Sequence, residues 1–431
     1  MRKILLAVIL PASLLAADVT MFRGDVTHSG NFPGTSTPDL SKVKWKVKTG
    51  GKVISSPAIV AGTAYVGSSD SQLYAIDISD GTVRWKFPTE GPVNSSPLVA
   101  GGLVYFNSVD GNFYAVDTAT GKAAWKFQTE GERRFSAPGI HGITPKKEVM
   151  PDPFDVYLSS PAMLNGTIYF GSGDHNVYAL DGETGTLKWK FTTGNVVHAS
   201  PAVADGVLYI GSWDRNFYAL DAASGKLLWK FETGDDTDTY NQVGIASSAA
   251  VADGRVYFGC RDSHFYALDA KTGKPKWAFD NKPGWVIASP AVHDGAVYFP
   301  TSVGKSFKAL DAATGKVIFS YTNRDISFSS PAIVNGVAYY GTTDGWLHAI
   351  DIKTGKMLHE FETEGSKLNS PQYMDKDGKR DERKLYPDFT LDGIMVALNR
   401  THSMGSVLSS PVIVDGVVYF GSTDGYLYAL M

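Results

Sequence analysis

The sequence predicts an all-β fold, an eight-bladed β-propeller of four-stranded antiparallel blades, on three observations. A unit of about forty residues recurs eight times. Within each unit, short runs alternate apolar with small or polar residues, the period of a strand, and turn signals separate them. The eighth unit lacks its last strand, and a spare copy of that strand stands ahead of the first unit.

The unit is clearest from Ala199 to Phe231. Four runs, a to d, begin at Ser200, Val207, Phe217 and Leu227, and the first three end in the turn signals Asp205-Gly206, Gly211 and Gly225. Strand a opens after small residues at Pro57, Pro97, Pro161, Pro201, Ala249, Pro290, Pro331 and Pro411. Strand b carries Tyr65, Tyr105, Tyr169, Tyr209, Tyr257, Tyr298, Tyr339 and Tyr419. Six of the eight a–b turns are Asn-Gly or Asp-Gly, a strong hairpin signal because both turn residues need positive φ. Strand c ends in Asp in the first seven units, with Gly four residues later, which is sound turn chemistry.

The eighth unit stops at Met431 after strand c. Trp45-Lys46-Val47 matches the d strand Trp85-Lys86-Phe87, and nothing like a, b or c precedes it. A ring closed by pairing the first strand with the last blade explains both anomalies and removes two free sheet edges. The d strands carry Trp45, Trp85, Trp125, Trp189, Trp229 and Trp277, replaced in units six and seven by Phe319 and His359. A large aromatic at a fixed slot is expected to pack against the neighbouring blade.

Hydrophobic residues make up 43% of the 431, and Gly (45) and Tyr (21) are abundant, as many tight turns and half-buried strands require. A net charge of -4 without a basic run argues against nucleic acid as a partner. Arg2 and Lys3, an apolar run from Ile4 and small residues at Ala16 and Ala17 have the layout of a secretory signal peptide over residues 1–17. An extension over 18–44 and a single propeller over 45–431 are expected to follow. The lone Cys260 excludes an intramolecular disulfide, and no cysteine follows the apolar run to take a lipid. The expected product is exported, periplasmic and monomeric, without a transmembrane segment.

The motif Ala-X-Asp-X-X-(Thr/Ser)-Gly-X-X-X-Trp, as from Ala115 through Asp117 and Gly121 to Trp125, resembles the tryptophan-docking repeat of quinoprotein propellers. That PQQ-like family includes dehydrogenases that use pyrroloquinoline quinone (PQQ) and non-enzymatic members of the BamB type, which assist outer-membrane barrel assembly. The resemblance implies the fold, with PQQ and calcium as possible cofactors. It departs from the dehydrogenases in lacking their pair of adjacent cysteines and any haem-attachment motif, and from the BamB type in lacking a lipid-bearing cysteine.

Function is expected where the period breaks. Three d–a connections exceed the regular ten residues: Phe127 to Pro161 (34), Phe231 to Ala249 (18) and Phe361 to Pro411 (50). All three emerge on one face, together with the b–c turns, and insertions confined to one face of a repeat protein mark its binding side. The bland alternative is that they only plug the channel. On the same face fall the non-docking tryptophans Trp213, Trp285 and Trp346, together with Arg215, Arg261, His198 and Lys305. The first insertion adds Arg133, Arg134 and His141, and the third adds Arg400 and His402. Aromatics with arginines around a concave mouth suit an anionic or ring-bearing ligand or a protein hot spot. No catalytic residue is assigned: the histidines lack metal-ligand spacing, and no phosphate loop or nucleophile elbow occurs. Asp375, Asp377 and Asp381 resemble part of a calcium loop without its closing glutamate, and more often make a solvated turn. The favoured reading is a non-catalytic binding or assembly scaffold of the cell envelope, with a protein partner or small ligand at the insertion face. A PQQ-dependent alcohol or sugar dehydrogenase and, more weakly, carbohydrate binding at the aromatic rim are the alternatives.

Overall fold

A computed structural model describes residues 18–235, 243–376 and 379–431. The leader expected at 1–17 lies outside the described residues, as does Asp377. Eight four-stranded antiparallel sheets form the ring. Blade one comprises Ala58–Val60, Thr63–Ser68, Gln72–Asp77 and Val83–Pro88, and the later blades repeat that plan. In blade eight, Val412–Val414, Val417–Gly421 and Tyr426–Leu430 are completed by Val43–Lys48. Trp45 faces Ala429 and Val47 faces Leu427 across this seam, so the closing strand starts two residues before the expected Trp45. No helix among the described residues is long and apolar enough to cross a membrane.

The local chemistry explains the blades. Both residues of the a–b turns have positive φ, as at Asp205 (51°) and Gly206 (76°), the twist that suits a two-residue hairpin. The c-strand aspartates cap the next turn, as where Asp221 Oδ1 accepts from the Ser224 amide at 2.8 Å. The Gly that follows is where the previous blade's tryptophan lands. At Gly225 (φ +71°) a Cβ would sit 2.6 Å from Trp189, and at Gly273 (φ +67°) 2.5 Å from Trp229. Each indole Nε1 also donates to a carbonyl of that next blade, Trp189 to Ala222 and Trp277 to Ala312. Core phenylalanines stack between blades, Phe217 on Phe258 and Phe265 on Phe299. On the b–c turns, Asp70, Asp110, Asp174, Asp214, Asp262 and Asp424 each accept the hydroxyl of a tyrosine four residues on. Each also takes an amide from the connection that follows the preceding blade, as from Gly194 to Asp214.

Two features line the channel. The serine before each strand a donates its amide to the serine hydroxyl of the next blade. The circuit runs through Ser56, Ser96, Ser160, Ser200, Ser248, Ser289, Ser330 and Ser410 and returns to Ser56, at 2.8–3.2 Å. These serines surround a throat of about 50 Å³. The N-terminal segment then threads the channel from the other face. It hydrogen-bonds in turn to strand a of most blades: Val19 with Ile59, Thr20 with Val99, Val26 with Val203, Thr27 with Val251, Ser29 with Val292 and Gly30 with Ile333. Phe22 lies against the serine ring, and Arg23, 2% exposed, donates to the Pro290 carbonyl at 2.9 Å. The expected extension is thus a strap inside the ring.

On the opposite face the first and third insertions form a roof. They touch where the Thr144 amide donates to the Phe389 carbonyl at 2.8 Å. Phe135, Ile140, Ile143 and Met150 of the first pack with Ile394 and Leu398 of the third over Val196 and Trp213 of the ring. The third insertion carries helices α1 (Glu364–Asn369), α2 (Glu382–Leu385) and α3 (Leu391–Ser403).

Candidate binding site at the channel mouth

Buried ion pairs hold the roof down. Arg261, on the b–c turn of blade five, is 1% exposed. Its guanidinium lies over the rings of Trp213 and Trp285, 4.6 and 4.4 Å from their centroids. It donates to Asp152 of the first insertion, and His141 Nε2 stands 2.7 Å from the other oxygen of that carboxylate. Burial alone would raise Asp152, but Arg261 and then His141 hold it well below the usual carboxylate range. His141 itself is pushed down by burial, which outweighs the pull of Asp152. A second anchor is His198, whose Nδ1 lies 2.6 Å from Asp155 and whose Nε2 lies 2.7 Å from Glu132. Burial opposes its charge, yet Asp155 and Glu132 together outweigh that and carry its pKa up to about 10. His198 is therefore an imidazolium between two carboxylates of the insertion.

The third insertion is fixed similarly. Arg380, 6% exposed in its side chain, pairs with buried Asp325 at 3.3 Å and donates to Thr401 Oγ1 at 2.7 Å. The helices form for local reasons: the Thr390 hydroxyl caps α3 by accepting the Gly393 amide, and Asp381 caps α2 by accepting the Arg383 amide. Arg400 in the last turn of α3 donates to the Lys384 and Leu385 carbonyls, which end α2. His402 Nδ1 accepts from Lys52 Nζ at 2.7 Å, and burial, then the charges of Lys52 and Arg380, push its pKa down to about 3.

Beneath the roof lies a cavity of about 610 Å³, within the ~300–1,000 Å³ of ligand sites. Phe154, Trp285, Phe328, Tyr386, Phe389 and Leu398 give it an apolar wall. Lys305, Arg380, Thr401 and His402 are among its polar groups, with His141, Glu382 and Arg383 also on the wall. Tyr157, Phe328 and Leu408 line both this cavity and the serine throat, so the two adjoin.

Of the residues singled out in the sequence, His141, Trp285, His402 and Lys305 line the cavity, and Trp213 and Arg261 stand directly behind His141 and Trp285. His198 is held between Asp155 and Glu132 and borders the serine throat rather than the larger cavity. Arg215 pairs on the surface with Glu232 and Asp235, and Trp346 carries the Arg324 guanidinium at the rim of blade seven. Arg133 and Arg134 are exposed, and Arg400 serves α2. Asp381 is occupied as a helix cap with Arg383, and Asp375 accepts the Lys379 amide, so both act locally in their turn. Among the described residues no group of three or more His, Cys, Asp or Glu is placed to hold a metal ion. The sequence reading missed Arg380, Asp325 and Phe389: nothing in their local spacing separates them from ordinary loop residues.

A family model described as outer membrane protein assembly factor BamB, of the PQQ-like repeat class, matches residues 36–152, 154–279 and 239–372. The chain belongs to this PQQ-like propeller family. Among its relatives, the quinone-dependent alcohol dehydrogenase subunit of Gluconacetobacter polyoxogenes is 40% identical over 86 residues, 17% of this chain and 12% of that protein. BamB of Escherichia coli is 28% identical over 104 residues, 23% and 25% of the two chains. The chain thus matches only a quarter or less of the length of these curated PQQ-like relatives. A europium-containing methanol dehydrogenase shares the PQQ-like fold at TM-score 0.69 and 16% identity, over 95% of this chain and 91% of that one. BamB of Moraxella catarrhalis does so at 0.64 and 15%, over 90% and 98%.

A flat quinone stacked on an indole needs an open ring face. Trp213 has none: it is 2% exposed, stacked on Phe135 at 4.6 Å and covered by Arg261. Trp285 carries the same guanidinium and meets His141 at 5.2 Å. The lone Cys260 is fully buried. The contacts around Trp213 leave no face for a stacked quinone, whereas Trp285 has one face under the guanidinium and still lines the cavity.

Proposed function

We propose that this chain is an exported, non-catalytic PQQ-like propeller that works as a binding or assembly scaffold in the cell envelope and meets its partner on the insertion face. The observation that carries the reading is the roof. The chain's own Phe135 and Arg261 take up the Trp213 surface on which a redox ring would lie. Buried charge pairs hold a folded, elaborated surface above it. Such a surface, on rigid blades, is what a protein-binding propeller needs. Similarity to BamB, an outer membrane protein assembly factor, supports the same reading. The leader-like layout of residues 1–17 accords with an envelope location.

The test is capture from envelope extracts with the native chain and with a variant in which residues 362–410 are replaced by the nine residues that separate Phe191 from Pro201 in a regular connection. Native capture of a defined protein set that the variant loses is expected; identical sets would remove the proposal. A second reading, a quinone-dependent oxidoreductase, draws on the 40% identical segment and on Trp285 in the cavity wall. Saturable PQQ binding with calcium and alcohol-dependent dye reduction would favour it over the scaffold.

A further inference from the structure

The cavity under the roof carries more positive charge than the protein answers. Lys305 Nζ and Arg380 Nη1 both turn to one carboxylate, Asp325, at 3.2 and 3.3 Å. Asp325 is 1% exposed and also accepts the Thr343 hydroxyl at 2.9 Å. Two cations therefore share one buried anion. Arg380 keeps a buried Nε with no partner among the described residues. A third cation, Lys52, stands behind His402, which stays neutral. Of the other charged groups on the wall, Arg383 is paired with Asp381, and among the described residues Glu382 makes no ion pair with Lys305 or Arg380. Charge that is desolvated and only half compensated is costly unless a counter-ion completes it. The remaining wall is aromatic and aliphatic, which removes water and strengthens whatever ionic contact forms inside.

From this we infer that the cavity is a binding site for a small amphipathic monoanion, an aromatic or hydrocarbon body bearing one carboxylate- or sulfonate-like head. The head meets Lys305 and Arg380, and the body lies along Trp285, Phe328 and Phe389. The site lies below the roof, so it stands whether or not a protein partner docks above it.

The probe is 1-anilinonaphthalene-8-sulfonate, set against N-phenyl-1-naphthylamine, which has the same rings without the charge. Fluorescence titration and calorimetry on the intact chain are expected to give one saturable sulfonate site. Its affinity should exceed that of the neutral probe by about tenfold, as one charge-assisted contact provides. Lys305→Gln should weaken the sulfonate about tenfold and leave the neutral probe unchanged. Val303, 56% exposed at the cavity wall, gives the control: Val303→Trp should block both probes. Both substitutions fall on partly exposed side chains of one b–c turn, so the ring is retained. Binding that does not saturate, that survives Val303→Trp, or that ignores Lys305→Gln would overturn the assignment. If the native chain and the 362–410 variant captured the same proteins while the probe still bound, the scaffold reading alone would fall.

Discussion

Arg261 carries the roof by a contact that cannot be halved. Its charge is neutralised by Asp152 and sheltered by two indoles, so removing it strands a buried carboxylate. Arg261→Met is expected to cost about 3–5 kcal/mol in urea unfolding, with a change in tryptophan emission as Trp213 and Trp285 are exposed. The neighbouring anchor titrates. His198 has its folded pKa raised to about 10, above its unfolded value near 6.5, so its stabilisation is complete below about pH 6.5 and is lost as pH rises through 10. His402 (about 3) and His28 (about 4) are depressed by burial, so the unfolded state binds their protons more readily and stability falls as pH drops below about 6.5. Melting temperatures across pH 4–10 should peak near pH 6.5 and fall on both sides. The alkaline edge should vanish in His198→Gln and the acid edge should shrink in His402→Gln. A more modest gain is available at Ala61, which holds φ 48° in a turn where its counterparts are Asn, Asp or Gly. Ala61→Asn should stabilise by up to about 1 kcal/mol in the same unfolding assay.

At the scale of the elements, the blade is a docking machine repeated with small edits. The indole of one blade closes on the bare Cα of the next blade's glycine, a fit that neither partner can loosen alone. Trp229→Ala should cost about 3–5 kcal/mol by leaving a groove. Gly273→Ala should also destabilise, because its Cβ would meet that indole at 2.5 Å and its φ is +67°. Calorimetry of the two variants and their double mutant should give a non-additive sum. These elements were legible in the sequence because each blade repeats the same turn pairs, tyrosines and tryptophans, and a repeat averages out local ambiguity. The roof was legible only as the place where the period broke. His141, Trp285 and His402 stood out by residue type, whereas Arg380 and Asp325 acquire their role solely from tertiary contact across 55 residues. Arg215 and Arg400 look alike in sequence to Arg261, and only burial separates a surface ion pair or a helix cap from a roof anchor.

For the molecule as a whole, the strap and the seam decide the closure. The seam could be read from the orphan strand, since Trp45 needed a sheet and blade eight needed a fourth strand. The strap could not, because residues 18–34 make about one backbone contact per blade and so have no strand period to detect. Removing residues 18–34 is expected to lower the melting temperature and to raise amide exchange along every strand a, while the d strands keep their protection. The ring also fixes the order of events at the ribosome. Residues 43–48 leave the exit tunnel early and wait, edge bare, for residues 426–430 to be translated. A chain cut short before Tyr426 should therefore be digested by protease from both ends, and one that includes residues 426–430 should resist it once released.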